Sequence, residues 1–354
     1  MHPVVLEDLD AIAAAPLDWE RLAGKTILIT GAAGFLPACM VETLLRLNAT
    51  RGLGCTVVGL VRNPDRARRR FVRYSDRADF QLLEGDVCDP PDLPARCDFV
   101  IHAASQASPK CFGTDPVGTM AANVLGTYHL LQCARSWQSE NFLLFSSGEV
   151  YGRVAPGCVP TPEDGYGFIE IGDPRSCYAE GKRAAETLGA SFHHQFGVPF
   201  NVVRPFHTYG PGMALDDGRV FADFVRDVVH GSDLIMHSDG SAVRAFCYVA
   251  DAVAGFFTVL LRGAPGAAYN VGNPEGALSI AELAALLAGL DPGRGLRVVR
   301  APRETPGYLE SPIPANIPDI AKLRRLGWAP RHSPEEGFRR TLRTFLEPEP
   351  AAPA

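Results

Sequence analysis

Tyr178 and Lys182 are the two residues whose types and spacing most clearly predict chemistry. They lie four positions apart in residues 176–196, which read as a helix, so a phenol and an ammonium group share one helix face. The charge of Lys182 would lower the pKa of the Tyr178 phenol, which could then accept a proton from an alcohol. Exposed helix pairs with no chemical role show the same spacing, so further residues are needed to decide between the two interpretations.

Ser147 and Glu149 follow the apolar run of residues 142–145, which continues as SSGEVYG. A strand that ends in this way delivers a hydroxyl and a carboxylate to the carboxyl edge of a parallel sheet, where ligands bind in open α/β folds. A hydroxyl, a phenol and an ammonium group together are typical of hydride transfer at a carbinol carbon. Lys182 would also reach the ribose that carries the nicotinamide of the hydride carrier.

The loop of residues 31–37 has the sequence GAAGFLP and lies between a β-rich apolar run and a predicted helix. Gly31 and Gly34 carry no side chains that would keep a pyrophosphate from the backbone N–H groups of the helix N-terminus. A tight strand-to-helix turn without a ligand needs the same glycines, but the strand and helix context favours a dinucleotide site. Pro37 replaces the usual third glycine, and a proline in the first helical turn loses no intrahelical bond.

Arg62 and Asp86 are the candidate ligands for the adenosine half of such a cofactor. Asp86 follows the third predicted strand and is either an adenine ligand or a simple turn residue. Arg62 stands at the end of the second strand, where an acidic residue would bind the ribose hydroxyls of NAD, and an arginine there could accept the 2′-phosphate of NADP. We nevertheless expect tightly held NAD, with Arg62 lying against the adenine face, since an enzyme that regains its hydride in each cycle benefits from retaining its cofactor.

Strands alternate with helices through the first 204 residues, which predicts an α/β, Rossmann-like, doubly wound parallel sheet. The segments that read as strands are residues 25–30, 56–61, 81–84, 99–102, 142–145 and 200–204. The segments that read as helices are residues 3–22 (a short helix and an arm), 35–48, 116–136, 176–196, 279–290, 319–326 and 334–345. Beyond Pro205 the Gly, Pro and Asp turns indicate a smaller, loop-rich C-terminal α/β lobe.

Four segments resemble the extended short-chain dehydrogenase/reductase superfamily, in particular its NAD-dependent epimerase/dehydratase family and, within that family, the UDP-glucuronate decarboxylases. The segments are PRSCYAEGKR at 174–183, DGRV at 217–220, RAFCYV at 244–249 and NVGNPE at 270–275. The resemblance covers about residues 25–346. It implies a helical arm at residues 1–24, a dinucleotide-binding domain at 25–204 with a return segment near 243–273, a nucleotide-sugar lobe at 205–242 and 274–346, and a tail at 347–354.

The resemblance also implies a role for each matching residue. The catalytic positions are Ser147, Glu149, Tyr178 and Lys182. The positions that bind the cofactor are Gly31, Gly34, Phe35, Leu36, Arg62, Asp86, Val87, Ala103, Ala104, Ser105, Tyr178, Lys182 and Pro205. The positions that bind the substrate are Lys110, Gly148, Arg175, His207, Arg219, Val220, His237 and Arg244, of which the arginines 219 and 244 face the nucleotide diphosphate.

The chain departs from the family pattern at five of its site positions. Ser147 and Gly148 stand where a threonine and a serine are usual, and His237 stands where an aromatic ring often stacks on uracil. His207 replaces a common asparagine and would either contact a substrate phosphate or pack under the nicotinamide. Asn316 replaces an arginine that contacts the sugar carboxylate, which leaves Arg175 and Lys110 as candidates for that contact.

These residues predict an enzyme that oxidises UDP-glucuronate at C4 with NAD, loses CO2 from the 4-keto intermediate and reduces the product to UDP-xylose, with some release of UDP-4-keto-xylose. A nucleotide-sugar 4,6-dehydratase is an alternative, but it needs an acid where Gly148 stands. A UDP-glucuronate 4-epimerase is another, and it needs room for the keto sugar to rotate. A non-catalytic nucleotide-sensing protein is a third, although both Tyr178 and Lys182 are retained.

Composition and charge exclude several other classes of protein. The net charge of -6 gives no basic field for nucleic acid, and no run of about 18 apolar residues predicts a membrane span. The nine cysteines form no CxxC pair and no zinc-type spacing, so we expect no metal site and reduced thiols in the cytoplasm. The resemblance implies a homodimer in which helices 116–136 and 176–196 form a four-helix bundle with their symmetry mates.

Overall fold

The computed structural model describes residues 1–301, 311 and 313–347 of the 354 residues. Apart from residue 347, the expected tail lies outside the described residues. The described strands are β1 (Thr26–Thr30), β2 (Thr56–Val61), β3 (Phe80–Glu84), β4 (Phe99–His102), β5 (Asn141–Phe145), β6 (Phe200–Pro205), β7 (Thr208–Tyr209), β8 (Leu234–Met236), β9 (Val243–Ala245), β10 (Cys247–Tyr248), β11 (Ala268–Val271), β12 (Ala277–Ser279), β13 (Val298–Arg300) and β14 (Ala315–Asn316).

Among the described strands, seven form one parallel sheet in the order β11-β6-β5-β4-β1-β2-β3. The chain runs outward from β1 in one direction and then returns to β4 on its other side. This reversal opens a crevice at the carboxyl ends of β1 and β4, where doubly wound folds bind their ligands. The fold class predicted from the sequence is confirmed.

Helices cover both faces of this sheet. The described helices of the chain are α1 (Pro3–Ala13), α2 (Phe35–Arg51), α3 (Pro64–Arg70), α4 (Pro109–Thr114), α5 (Pro116–Trp137), α6 (Cys177–Phe196), α7 (Val220–His230), α8 (Val249–Arg262), α9 (Ile280–Gly289), α10 (Ala321–Arg324) and α11 (Pro334–Leu346). Ile27 and Ile29 of β1 pack in the core layer under α2 and α8, whereas Leu28 packs in the layer under α5 and α6. Because successive strand side chains point to opposite faces, a sheet buried on both sides needs such a continuous apolar run.

Most predicted helices end within a few residues of their expected bounds, because their ends carry capping residues. Asp115 caps α5 by accepting a hydrogen bond from the N–H of Gly118 (3.0 Å), and Gly197 ends α6 in the left-handed conformation (φ 70°). The N-terminal helix is shorter than predicted, since α1 ends at Ala13. The sequence analysis did not predict α3, α4, α7 or α8, and α8 with β11 is the part of the later chain that returns to the large sheet.

The smaller sheet of the later chain has the order β12-β9-β14 among the described residues. Strands β9 and β14 are parallel, and their register places Asn316 opposite Arg244. Both side chains are buried and face the same crevice as the large sheet. The later chain therefore supplies the second wall of this crevice; the exact domain boundaries stay a prediction.

Candidate active site

A cavity of about 440 Å³ lies at the carboxyl ends of β1, β4, β5 and β6 and is closed by residues of α7, β8 and β9. It brings together most of the residues predicted from the sequence. These are Gly31, Gly34, Phe35, Leu36, Ala103, Ser105, Ser147, Gly148, Glu149, Arg175, Tyr178, Lys182, Pro205, His207, Arg219, Val220, His237 and Arg244. Asn316 also lines the cavity.

The glycine-rich turn after β1 forms one end of the cavity. Gly31 has a positive φ of 64°, and a Cβ atom there would lie only 2.8 Å from Cα of Ala104. A Cβ atom on Gly34 would lie 3.0 Å from the carbonyl oxygen of Gly31. Helix α2 begins at Phe35, so its free N–H groups face a turn that has room for a backbone-bound pyrophosphate. The turn therefore fits a dinucleotide, as the sequence predicts.

Thr30 and His102 hold the opposite side of this turn in place. The hydroxyl of Thr30 accepts a hydrogen bond from the N–H of Ala104 (3.1 Å) and lies 2.8 Å from Nδ1 of His102. Burial and the nearby charge of Lys182 lower the pKa of His102 to about 3, so the imidazole is neutral. The sequence analysis missed both residues, because only the pairing of β1 with β4 brings them together.

Tyr178 and Lys182 lie on one face of α6, as their spacing predicts, and both are buried. The ammonium of Lys182 donates to the carbonyl oxygen of Phe145 (2.5 Å) and lies 5.8 Å from the centre of the Tyr178 ring. Burial lowers the pKa of Lys182 to about 7. The ring of Phe112 stacks on Tyr178 at a centroid distance of 4.9 Å and fixes its plane.

The lowered phenol pKa expected from the sequence is wrong for this structure. Burial raises the pKa of Tyr178 to about 12, and a hydrogen bond with Ser147 offsets only part of this rise. Burial disfavours the phenolate, and the Ser147 hydrogen bond and the charge of Arg219 together do not outweigh this effect. The Ser147 hydroxyl nevertheless lies where the sequence places it, next to the phenol of Tyr178.

Glu149 and Arg175 form an ion pair beside Tyr178, with 3.2 Å between Oε2 of Glu149 and Nη1 of Arg175. Both side chains are mostly buried, with exposed fractions of 20% and 12%. Gly148 lies against the ring of Phe206, and a Cβ atom at position 148 would approach this ring to 3.1 Å. The space beside the ion pair is therefore bounded by a phenyl ring.

The other end of the cavity is rich in arginine. Arg219 donates through Nε to Oδ2 of Asp217 (2.7 Å), and the guanidinium of Arg244 donates to the carbonyl oxygens of Val243 and Ile313 (both 2.8 Å). Asp217 was not predicted from the sequence, although its position two residues before Arg219 is a usable signal. Two guanidinium groups at one wall fit a diphosphate.

His207 lies between these two arginines and two phenyl rings. Its imidazole contacts Phe221 and Phe246 edge-to-face, with centroid distances of 6.5 and 6.0 Å. Burial lowers its pKa, and the charges of Arg244 and Arg219 lower it further, so the ring is neutral. Its Nδ1 atom is buried without a hydrogen-bond partner in the described part of the chain. His237 also lines the cavity, and its Nδ1 lies 3.1 Å from the carbonyl oxygen of Ala301.

Five predicted residues do not line the cavity. Arg62 and Asp86 form an ion pair at 3.8 Å, and Asp86 also accepts a hydrogen bond from the N–H of Cys88, as a turn aspartate does. Val87 is buried against Gly126 of α5. Lys110 donates to the carbonyl oxygen of Asp216, and Ala104 packs behind Gly31. Their roles at the cofactor or the substrate stay predictions.

Arg204 is a buried cation that the sequence analysis did not single out. It is 1% exposed, and its guanidinium donates to Glu186 and to the hydroxyls of Tyr151 and Tyr166. The same Glu186 accepts a hydrogen bond from Ser146. A charged residue in an otherwise apolar strand requires such partners, so its position in β6 was the available signal. The network holds the ends of β5 and β6 in place behind the catalytic positions.

A parallel sheet with a glycine turn after β1 and the Tyr178–Lys182 pair at its carboxyl edge defines a dinucleotide-binding protein of the short-chain dehydrogenase/reductase class. The chain belongs to the NAD dependent epimerase/dehydratase family, whose model matches residues 27–272. The family resemblance noted in the sequence is thereby confirmed.

Curated relatives and solved structures agree with this assignment. UDP-glucuronic acid decarboxylase 3 of Arabidopsis thaliana is 34% identical over 88% of this chain and 86% of the relative, and UDP-glucuronic acid decarboxylase 1 of Danio rerio is 35% identical over 91% and 72%. An epimerase of Methanothermobacter thermautotrophicus has a TM-score of 0.79 at 25% identity, covering 98% and 97% of the two chains. UDP-glucuronic acid 4-epimerase of Bacillus cereus, solved with UDP-glucuronic acid and NAD, has a TM-score of 0.75 at 22% identity, covering 90% and 98%, and shares the fold.

No cluster of three or more metal-ligating side chains occurs among the described residues. None of their helices combines the length and the apolar character that crossing a bilayer requires. All nine cysteines are described and are free thiols.

Proposed function

We propose that this chain catalyses the NAD-dependent decarboxylation of UDP-glucuronate to UDP-xylose through a 4-keto intermediate. The observation that carries the proposal is the convergence of Ser147, Tyr178 and Lys182 beside a turn that fits a dinucleotide, at the end of a cavity with two arginines at its far wall. The similarity to curated UDP-glucuronic acid decarboxylases supports the choice of substrate.

Tyr178 accepts the proton of the C4 hydroxyl, and Ser147 donates to the same oxygen and orients it. NAD, when bound, supplies the hydride acceptor, and Lys182 binds its nicotinamide ribose. The oxidised sugar is a β-keto acid, so the C5–carboxylate bond breaks without a strong base and its electron pair moves onto the C4 oxygen. Ser147 and Tyr178 stabilise that oxyanion. A proton from solvent then adds at C5, and Tyr178 gives its proton back to the C4 oxygen as C4 is reduced to the alcohol of the pentose, which would leave bound NAD in its oxidised form.

Dehydration is disfavoured by the surroundings of Gly148. A 4,6-dehydratase must protonate a leaving C6 hydroxyl, and an acid at position 148 commonly does so in the family that the sequence resembles. Here the position carries no side chain, and a Cβ atom there would lie 3.1 Å from the Phe206 ring. A 4-epimerase stays the second alternative, because its first step uses the same residues.

We also propose that part of the product leaves as UDP-4-keto-xylose before the hydride returns. Gly148 lacks a hydroxyl beside the reacting carbons. Such a contact is worth about 0.5–1.5 kcal/mol. A loss of about 1.4 kcal/mol would raise escape of the intermediate about tenfold if the barrier to release fell equally. A bridging water that replaces the lost contact would leave the partition unchanged.

Incubation of the purified chain with UDP-glucuronate tests the reaction directly. We expect CO2 and UDP-xylose, with UDP-4-keto-xylose and bound NADH as minor species, by mass spectrometry and NMR. A C4 epimer without CO2 would establish the epimerase instead, and no turnover with intact binding would favour a nucleotide-sensing protein. UDP-xylose alone, without a keto species or bound NADH, would contradict the proposed release.

The cofactor form, assembly and location complete the proposal. We propose tightly held NAD and not NADP, because an enzyme that regains its hydride in each cycle benefits from retaining its cofactor, and Arg62 can lie against the adenine face. Extraction of the purified protein should yield NAD(H), and NADP(H) alone would refute this. We further propose a homodimer through α5 and α6, and a cytoplasmic location in which the nine thiols stay reduced.

A further inference from the structure

The cavity offers few cations for a sugar carboxylate. Among the described residues, the lysine and arginine side chains that line it are Arg175, Lys182, Arg219 and Arg244. Lys182 donates to the carbonyl oxygen of Phe145, deep below Tyr178, and Arg219 is held by Asp217. Lys110, the other candidate from the sequence, donates to the carbonyl oxygen of Asp216 and is not part of the lining.

Arg244 also uses its donors on the backbone. Its guanidinium donates to the carbonyl oxygens of Val243 and Ile313 in the wall formed by β9 and β14. Asn316, its neighbour across these strands, is buried and uncharged. Position 316 therefore supplies an amide and no charge, and Arg175 is the remaining cation among the described residues that line the cavity.

Arg175 is positioned at the reacting end of the cavity. It lies in a short 3₁₀ turn, Pro174–Ser176, directly before α6, and its N–H donates to Oδ1 of Asp173 (2.9 Å). Glu149, its ion-pair partner, follows Ser147 by two residues, and the Ser147 hydroxyl is hydrogen-bonded to Tyr178. In a hexuronate, C5 carries the carboxylate and is bonded to C4. The carboxylate carbon is therefore two bonds from C4. A sugar whose C4 hydroxyl meets Tyr178 brings its carboxylate to the end of the cavity that Arg175 lines.

The ion pair between Arg175 and Glu149 is incompletely formed. A guanidinium presents five N–H groups and binds a carboxylate best through two parallel hydrogen bonds. Here a single contact joins Nη1 to Oε2 at 3.2 Å, and Nε of Arg175 is buried without a hydrogen-bond partner among the described residues. Such a cation has an unused donor for a second carboxylate, and the exchange breaks only this single contact with Glu149.

We propose that Arg175 binds the carboxylate of the uronate by exchanging it for the Glu149 carboxylate. Arg175 is then a specificity-determining residue that replaces the missing charge at Asn316. The inference rests on the proposed function only for the identity of the sugar. It predicts opposite effects for the two partners of one ion pair, since Glu149 competes with the substrate for Arg175.

Binding measurements on two ligands test the exchange. Dissociation constants of UDP-glucuronate and UDP-glucose, which differ only in carboxylate against hydroxymethyl at C5, are measured by calorimetry for the NAD-loaded chain in a Tyr178→Phe background that prevents turnover. Arg175→Gln should weaken UDP-glucuronate at least tenfold and UDP-glucose less than twofold. Glu149→Gln should tighten UDP-glucuronate severalfold relative to UDP-glucose.

Matched variants make the result specific. Arg219→Gln should weaken both ligands alike, because it faces the diphosphate that they share. Adding Asn316→Arg to the Arg175→Gln variant should restore the preference for the uronate. If Arg175→Gln proves unstable, Arg175→Lys can be used instead. Lysine keeps the positive charge but has fewer N–H donors, so this variant should show an intermediate preference for UDP-glucuronate over UDP-glucose.

Two outcomes would overturn the inference: an unchanged ratio of the two dissociation constants in the Arg175 variants, or a selective loss of UDP-glucuronate binding in Glu149→Gln. Failure of the proposed function is a different result. A chain that binds UDP-glucuronate through Arg175 but releases no CO2 refutes decarboxylation and keeps the exchange. A chain that releases CO2 with an unchanged ratio in Arg175→Gln does the reverse.

Discussion

At the scale of single residues, the site is dominated by burial. Burial raises the pKa of Tyr178 and lowers the pKa of Lys182, so it favours the neutral form of both side chains. The chain alone therefore does not prepare the phenolate. Bound oxidised nicotinamide would bring a positive charge into the cavity, and an opposite charge nearby would favour the ionised phenol.

Tyr178→Phe tests the role of the phenol. The variant keeps the ring, which stacks on Phe112, and removes only the proton acceptor. We expect the rate of C4 oxidation, followed as NADH formation in single-turnover experiments, to fall by about 10²–10⁴-fold. The melting temperature should change little. Substantial turnover in this variant would show that another residue is the base.

The positions of the proposed catalytic residues could be predicted from the sequence because their signals are local. Tyr178 and Lys182 share a helix face, and Ser147 follows a strand directly. Thr30 and His102 could not be predicted, since they lie 72 positions apart and meet only through sheet order. The direction of the Tyr178 pKa shift was also beyond the sequence, because burial depends on the closed cavity.

At the scale of elements, the turn between β1 and α2 has two separate requirements. Gly31 needs a positive φ, and it also needs to be small where Ala104 approaches. Gly54, between α2 and β2, has a nearly identical φ of 63° but nothing within 4 Å of its Cβ position. Substitutions at Gly31 and Gly54 would therefore strain the backbone alike, but only a substitution at Gly31 would also bring a side chain against Ala104.

Gly31→Ala should lose most of the NAD that co-purifies with the protein, whereas Gly54→Ala should keep it. Both substitutions strain the backbone by about 1–2 kcal/mol, but only the first forces the loop at Ala104 away from the turn. NAD is measured after extraction, and stability is measured by thermal unfolding. Equal loss of NAD in the two variants would show that backbone strain alone is responsible.

The junction between α8 and the start of α11 should make stability depend on pH. Asp251 accepts hydrogen bonds from the N–H groups of Arg331 and His332 and lies 3.0 Å from the His332 imidazole. Burial acts to lower the pKa of His332, but the hydrogen bond and charge of Asp251 outweigh it and raise the pKa. The protonated ring is therefore stabilised in the folded protein.

His332→Gln should lower the melting temperature most at low pH. A raised folded pKa gives stabilisation that is fully present below the unfolded pKa of about 6.5 and is lost as pH rises through the folded value. The difference in melting temperature between the unmodified chain and the variant should be larger at pH 6 than at pH 9. His230→Gln, at the exposed end of α7, should show little such change. A difference that grows with pH would contradict the assignment.

The predicted elements were most accurate where an apolar run or a cap is explicit in the sequence. The buried strands of the large sheet and the long helices α5 and α6 are of this kind. Helices α7 and α8 were missed because they lie in a region interrupted by Gly, Pro and Asp turns. The apolar faces of α7 and α8 are buried against β8 and the large sheet, and the sequence alone does not show that these partners cover them.

At the scale of the whole molecule, α5 carries a face of exposed apolar side chains. Val117, Met120, Leu125 and Tyr128 are between 40% and 79% exposed, and Phe196 of the neighbouring α6 is 37% exposed. Positions 117, 125 and 128 lie within about a quarter of the helix circumference. This face fits the proposed isologous contact with a second copy.

Leu125→Glu should shift the assembly from dimer to monomer at micromolar concentration, because it buries a charge at the proposed contact. Val72→Glu is the matched control, since Val72 is 64% exposed and lies outside α5 and α6. Sedimentation velocity distinguishes the two masses. A monomeric unmodified chain, or equal effects of both substitutions, would refute the proposed dimer.

The position of β11 has a consequence for synthesis on the ribosome. Strand β6 pairs with β5 on one side and with β11 on the other, but β11 is translated only after α7 and α8. Until then the nascent sheet ends at β6, whose buried apolar residues and unpaired backbone groups form an open edge. A ribosome adding about 5–20 residues per second leaves this edge exposed for several seconds. Nascent chains that stall before Ala268 are therefore the species on which we expect chaperones to act and from which aggregates begin.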